Sequence, residues 1–273
     1  MEKSIFYKLL RRSLYATIGL ICLWMGLNTF LNGHIWDGMT VSKSALTVEY
    51  CEFNNVDKLF HQSINTYSNS FYFFLGILIV SIAWEDYKNR GLNSPLNSLA
   101  QFPLLSALMG CAFIYLSFGS ALFHASLTWI GQRVDMNGTY SLSISLFGIG
   151  LYAVLPKKIF TDNFKKIYVF ILLAIVLAFI KIALLMSSGI LLPTLILSSL
   201  ILITINYFQF RKERSIIVGI LSLVLMVIAV KIRTLDVQKI GCDPHSLYQG
   251  HAVWHVLTGL SSFCNYAFFR FKI

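Results

Sequence analysis

Charged side chains are scarce in this 273-residue chain: Asp, Glu, Lys and Arg together make up 12% of it. A soluble domain carries roughly 25%, because water must solvate its surface. Much of this molecule's outside therefore faces something other than water. Acidic residues are the rarer sign, 12 against 22 Lys and Arg, which leaves a net charge of +10. With so few charges overall, that excess fits basic loops beside a membrane better than a nucleic-acid surface. The five cysteines contain no CxxC pair, which excludes a zinc ribbon and a dense disulfide scaffold. Five prolines and no low-complexity tract leave little material for a disordered tail. What fills the chain is apolar: 56% hydrophobic residues, 15% aromatic, mean hydropathy +0.69.

A bilayer core about 30 Å thick needs about 20 mostly apolar residues per helical crossing. Eight stretches qualify, at roughly 14–32, 66–84, 100–124, 134–155, 166–187, 190–208, 215–233 and 248–269. Barrel strands are about half that length and alternate strictly, which these runs do not. The sequence thus predicts an all-α integral membrane protein. It reads as a bundle of seven transmembrane helices preceded by one additional N-terminal helix, eight in total. Residues 1–33 form the tail and added helix, 34–65 a polar outer segment, and 66–273 the seven-helix core. The basic start and apolar run of the first stretch also resemble a signal peptide. Its length and the lack of an A-x-A site favour a retained helix.

Loop charge sets the orientation. The N-terminal tail, 85–99, 156–165, 209–214 and the C-terminal tail, with Lys166 at the start of the next stretch, carry fifteen of the 22 basic residues, and the opposite side carries six. The positive-inside rule then puts both termini in the cytoplasm and 33–65 and 234–247 outside.

Ionisable groups within such helices are expensive, so each is a candidate functional residue. Most of them fall at the outer ends. The third stretch ends with Ser120 and His124, the fourth opens with Arg133 and Asp135, and the last begins with His251 and His255. The last two histidines are four apart and share one helix face, a spacing that lets two imidazoles grip one metal ion. His124 reaches the same depth from another helix. Three histidines leave a fourth tetrahedral position for water, the pattern of catalytic zinc, and zinc lowers the pKa of such water to about 7. Asp135 is placed to accept a proton and pass it to a leaving group, and Ser120, one turn before His124, to donate to an oxyanion. Simpler roles exist for each alone: an interfacial histidine, a helix-capping aspartate, a serine bonded to its own backbone. Arg233 and Asp236, three apart, read as a local ion pair at the site mouth.

Ser120-x3-His124, then Asp135, then His251-x3-His255 resemble the alkaline ceramidase family in residues, order and spacing. The stretch from Cys242 through His245, Gln249 and Trp254 to Gly259 resembles that family's last-helix signature. Val48-Glu49-Tyr50-Cys51-Glu52-Phe53-Asn54, with Asn65-Thr66-Tyr67-Ser68-Asn69, resembles its N-terminal segment. The resemblance spans about 48–270 and leaves the first helix outside it. The family belongs to a superfamily with adiponectin- and progestin-type receptors and GPI-remodelling lipid hydrolases.

The resemblance implies a zinc ion on His124, His251 and His255, with Asp135 acting on the metal's water and Ser120 completing the site. It implies a ceramide-like N-acyl lipid, reached sideways from the bilayer and cleaved to a sphingoid base and a fatty acid. It makes calcium a candidate second ion, on Glu49, the Tyr50 carbonyl, Glu52, Asn54 and Gln62. Gln62 stands where the family has glutamate, which removes one negative charge from that set. It also points to a Cys51–Cys242 disulfide, in line with both thiols lying on the oxidising outer side. Met136-Asn137-Gly138 departs from the family's Glu-Leu-Pro toward the receptor branch. A receptor-like, lipid-sensing protein is therefore the alternative reading to a zinc-dependent amidase.

Overall fold

Each of the eight apolar stretches becomes a long helix in the computed structural model, which describes residues 2–47, 49–89, 99–186 and 188–271. Val48, part of the N-terminal motif, and positions 90–98, 187 and 272–273 of the ranges read from sequence lie outside the described residues. In chain order come α1 (Lys3–Phe30), the short α2 (Lys43–Leu46) and α3 (Ser63–Ser68), then α4 (Ser70–Lys88), α5 (Pro103–Ser126) and α6 (Trp129–Val154). They are followed by α7 (Asp162–Leu185), α8 (Ser188–Gln209), α9 (Ile216–Val237) and α10 (Gly250–Arg270). Among the described residues, extended pairing is confined to the isolated bridges Asn32–Lys58 and Val41–Thr128.

Among the described residues, six helical segments are long and apolar enough to cross a membrane: Lys3–Phe30, Ser63–Lys88, Pro103–Ser126, Asp162–Ala183, Ser188–Gln209 and Ile216–Val237. The molecule is an all-α, multi-pass membrane protein. α6 and α10 are as long, at 26 and 21 residues, but they carry Arg133, Asp135, His251, His255 and a run of Ser, Thr and Asn. Those polar residues face the bundle interior, which is where a membrane helix tolerates them.

Helix α1 begins well before the apolar run at residue 14, because Lys and Arg are good helix formers and extend it backwards. Leu9, Ser13, Thr17, Leu20 and Trp24 recur every three or four residues and are its buried face, packed on α4. Trp24 sets its edge against Phe60 and Phe118, with centroids 6.3 and 6.2 Å away. Helices α4 and α5 cross at Gly76 and Gly110, where a Cβ on either would sit 2.9 Å from the other's carbonyl oxygen. Small residues at a crossing let two backbones approach, the main source of packing energy where lipid removes the hydrophobic drive.

The bundle is clamped at the end that holds the termini. Arg270 of α10 makes a buried two-pronged pair with Asp86 of α4, its Nε 2.8 Å from Oδ2. Arg214 donates to the carbonyls of Phe268 and Phe269 at 3.0 and 2.8 Å, satisfying the last turn of α10. Both arginines, counted among the basic loop charges, are 4% exposed and work as structural clamps.

At the opposite end, residues 33–62 fold over the mouth of the bundle. Leu127, at φ 52°, ends α5 in the left-handed region, and the chain on either side of it is stitched to the outer segment. Ser42 N–H donates to the Leu127 carbonyl at 2.9 Å, His61 N–H to Ala125 and Gln62 N–H to His124, both at 3.0 Å. Cys51 and Cys242 form a disulfide with their Cα atoms 5.7 Å apart, tying this segment to the loop that feeds α10.

Candidate metal centre

His124 sits in the last turn of α5, and His251 and His255 in the first two turns of α10. They are 0%, 4% and 3% exposed, and one ring nitrogen from each lies within 4.8 Å of the others. The ring centroids are 4.9 Å apart for His124–His251, 5.2 Å for His124–His255 and 4.5 Å for His251–His255. Burying three imidazoles against one another without a shared partner is costly.

The surrounding hydrogen bonds fix two tautomers. Gln62 donates its amide NH₂ to Asn54 Oδ1 at 2.7 Å, and its Oε1 accepts from Asn65 Nδ2 at 3.2 Å. That oxygen can only accept, so His124, whose Nδ1 is 2.7 Å from it, carries the proton on Nδ1. His124 Nε2 is then a bare lone pair, buried and without a hydrogen-bond partner. Ser68 repeats the logic. Its one hydroxyl proton goes to the Asn65 carbonyl at 2.8 Å. His255 Nδ1, 2.7 Å from Ser68 Oγ, must therefore donate to it, which leaves the His255 Nε2 lone pair for another partner. His251 Nδ1 is likewise buried without a partner. Imidazoles oriented through one nitrogen and bare at the other are how proteins present histidine to a metal, so the residues present fit a zinc ion.

Sequence reasoning missed the groups that do this orienting. Gln62 was expected on calcium, and Ser68 had no role. Both are presented by α3, whose first N–H groups, those of Ile64 and Asn65, donate to the two carboxylate oxygens of Glu52 at 2.7 and 2.8 Å. Burial pushes the Glu52 carboxyl up to about 7, against the pull of those two donors. Tyr50 was expected to offer only its carbonyl. Its ring instead stacks on His251, with centroids 3.8 Å apart. Burial raises its phenol above the ordinary range, while Arg233 donates to the hydroxyl.

Asp135 lies in the second turn of α6 and accepts a hydrogen bond from Ser120 of α5. Both line a cavity of about 290 Å³ that also touches Tyr50, Arg233, His251 and His255. The three histidines, Asp135 and Ser120, read from three separate stretches of sequence, thus meet at one end of the bundle. Arg233 and Asp236 do not pair. Arg233 reaches Glu49 Oε1 at 3.0 Å, and Asp236 accepts the Cys51 N–H at 3.2 Å, because the outer segment comes between them.

The calcium candidates sit close by but are engaged elsewhere. One oxygen of Glu49 is on Arg233, both of Glu52 are on α3, Asn54 takes the Gln62 amide, and the Tyr50 carbonyl receives the Lys239 ammonium. Calcium asks for six to eight oxygens converging at 2.3–2.6 Å. These residues as placed do not fit it, and the positive charge at the Tyr50 carbonyl is Lys239.

This multi-pass helical bundle thus gathers three buried histidines able to hold a metal beside a carboxylate, a hydroxyl and a cavity. The sequence model of the ceramidase family matches residues 42–272, and the chain belongs to that family. The match leaves α1 outside. A search of curated proteins finds no match to this chain.

Proposed function

We propose that this protein is a zinc-dependent ceramidase that hydrolyses the amide of ceramide or a related N-acyl lipid, releasing a sphingoid base and a fatty acid. The observation that carries the reading is the group of three buried imidazoles with bare nitrogens, two of which, His251 and His255, line the same cavity as Asp135 and Ser120. His124, His251 and His255 would hold the metal. Zinc bound there supplies Lewis acidity and a water acidic enough to ionise near neutral pH.

The chain's own groups divide the remaining work. Asp135 takes the proton released as water attacks the amide carbon and delivers it to the departing nitrogen, which cannot leave as an amide anion. Ser120 now donates to Asp135. Turned toward the substrate, the same hydroxyl donates to the carbonyl oxygen as negative charge develops on it. Gln62 and Ser68 hold two imidazoles in register, and the Tyr50 ring on His251 excludes water from that side. The substrate is a membrane lipid and the cavity lies between bundle helices, so access is sideways from the bilayer. Basic loop charge favours cytoplasmic termini and a site opening on the other side.

The test uses detergent-purified protein and a long-chain N-acyl sphingoid base, with and without a zinc chelator. Fatty acid should be released, release should stop on chelation, and added zinc should restore it. Copurified zinc should fall to background in His251→Ala. A protein that carries zinc yet hydrolyses no N-acyl lipid would overturn the enzyme reading in favour of a receptor-like one.

A further inference from the structure

The cavity at the metal centre continues into the bundle. A second chamber of about 90 Å³ shares Tyr72, Leu116, Thr139, Leu192, Ile196 and Trp254 with the first. A lipid lying amide-first at the histidines would send a hydrocarbon chain into this chamber. Leu142, Leu146, Leu200, Leu223 and Met226 suit such a chain. The α10 wall does not.

His251, His255, Thr258, Ser262 and Asn265 follow at intervals of four, three, four and three residues, so the face of α10 that carries the histidines continues inward as a polar stripe. Most polar groups around this chamber are already satisfied. Thr258 bonds Tyr72 at 2.6 Å, Ser199 donates to its own helix at 3.0 Å, and Ser222 and Ser261 donate to each other's carbonyls at 2.9 and 2.8 Å. Asn265 and Ser262 are the exceptions. Asn265 is 8% exposed and Ser262 5%. Both line the chamber, and the Asn265 Oδ1 is buried with no partner. Burying an amide unpartnered is unfavourable unless something else meets it. By helical rise these groups lie roughly 10 and 15 Å inward of His255.

We infer that the inner chamber is a binding site for a hydroxyl group carried on the lipid's hydrocarbon chain, read by the Asn265 amide and the Ser262 hydroxyl. A hydroxyl both donates and accepts. It can give its proton to Asn265 Oδ1 and take one from the Asn265 NH₂ or from Ser262. The inference deepens the lipid-hydrolase reading and rests on it for the identity of the occupant. A site built to hydrogen-bond a hydroxyl discriminates against the analogue lacking it, whereas an apolar tunnel barely distinguishes chains of equal length.

The test is a binding measurement that needs no turnover. Octadecanoic acid and the positional isomers of hydroxyoctadecanoic acid, with the hydroxyl at successive carbons, compete for a fluorescent fatty acid on the purified protein. One isomer, or two neighbours, should bind about tenfold more tightly than octadecanoic acid. Asn265→Leu should erase that preference while leaving octadecanoic acid bound at least as well, and Ser262→Ala should reduce it. Equal affinity for all isomers, or a preference that survives both substitutions, overturns the inference. If the preference holds and no N-acyl lipid is hydrolysed, only the hydrolase reading falls. If hydrolysis proceeds with no preference for the hydroxylated chain, only the hydroxyl site does.

Discussion

The side-chain carbonyl of Gln62 lies 2.7 Å from Nδ1 of His124 and, because Asn65 also donates to it, accepts the imidazole proton. One amide thereby sets which nitrogen of a buried histidine is bare. Outer partners of this kind typically change metal affinity by about 10–100-fold. Gln62→Leu should weaken zinc binding by that factor, and Gln62→Glu, which keeps an acceptor, should not. Zinc retained per chain against a graded competing chelator measures both.

Asp135 and Ser120 touch each other and line the cavity beside the histidines. Asp135→Asn should keep its zinc and lose about 10²–10⁴-fold in turnover. Ser120→Ala should lose about 10²–10³-fold in kcat. Parallel assays of zinc content and fatty-acid release separate these losses from loss of the metal. Full activity in Asp135→Asn would sink the proton-transfer role.

The histidines were legible because helical periodicity is local: four residues between His251 and His255 fix a shared face whatever else the fold does. Ser120 and His124 are readable for the same reason. The orienting residues were not, since Gln62 and Ser68 are brought by a six-residue helix whose placement depends on Glu52 and on backbone pairing with the end of α5. Arg233 and Asp236 show the converse error. Their spacing of three residues suits a local pair, but a segment distant in sequence supplied better partners for each. The span count suffered from chemistry rather than length. α6 and α10 carry the site, and their polar residues are spread so that neither holds a span as apolar as those of the other long helices, which makes the apolar signal weakest where function is densest.

Glu52 titrates in a useful window. Its carboxyl is pushed up to about 7 from an ordinary 4.5 by burial, so the folded protein holds a proton there that the unfolded chain has released. That contribution to stability is complete below the unfolded value and is lost as pH rises through about 7. The Tm should fall by a few degrees between about pH 5 and about pH 7 and level off above. Glu52→Gln, which keeps an acceptor for the α3 N–H groups without a charge, should flatten that slope. Thermal unfolding of both proteins across the window decides it.

Lys239 occupies the electrostatic place a divalent cation would take, its ammonium on the Tyr50 carbonyl beside Glu49 and Asp236. Addition of calcium, or of a calcium-selective chelator, should leave Tm unchanged. Lys239→Met should lower stability by about 1 kcal/mol, the low end for a charged hydrogen bond because the side chain is partly in water. A Tm that drops on calcium removal in the wild type would overturn this assignment.

Helix α10 is held at both ends: by Asp86 and Arg214 where it finishes, and just before it starts by the disulfide to the outer segment. A rod anchored twice neither slides nor rotates, so the two histidines it carries keep a constant bearing on His124 while lipid passes. Breathing of the bundle then falls to the seam between α8 and α9, which touch each other little while α9 packs closely on α10 and α8 on α6; both helices flank the inner chamber. The metal end with α9 behaves as a fixed jaw and α8 as the moving one. Thiol reduction, by freeing one anchor, would blur the geometry of the jaw without touching any group that does chemistry.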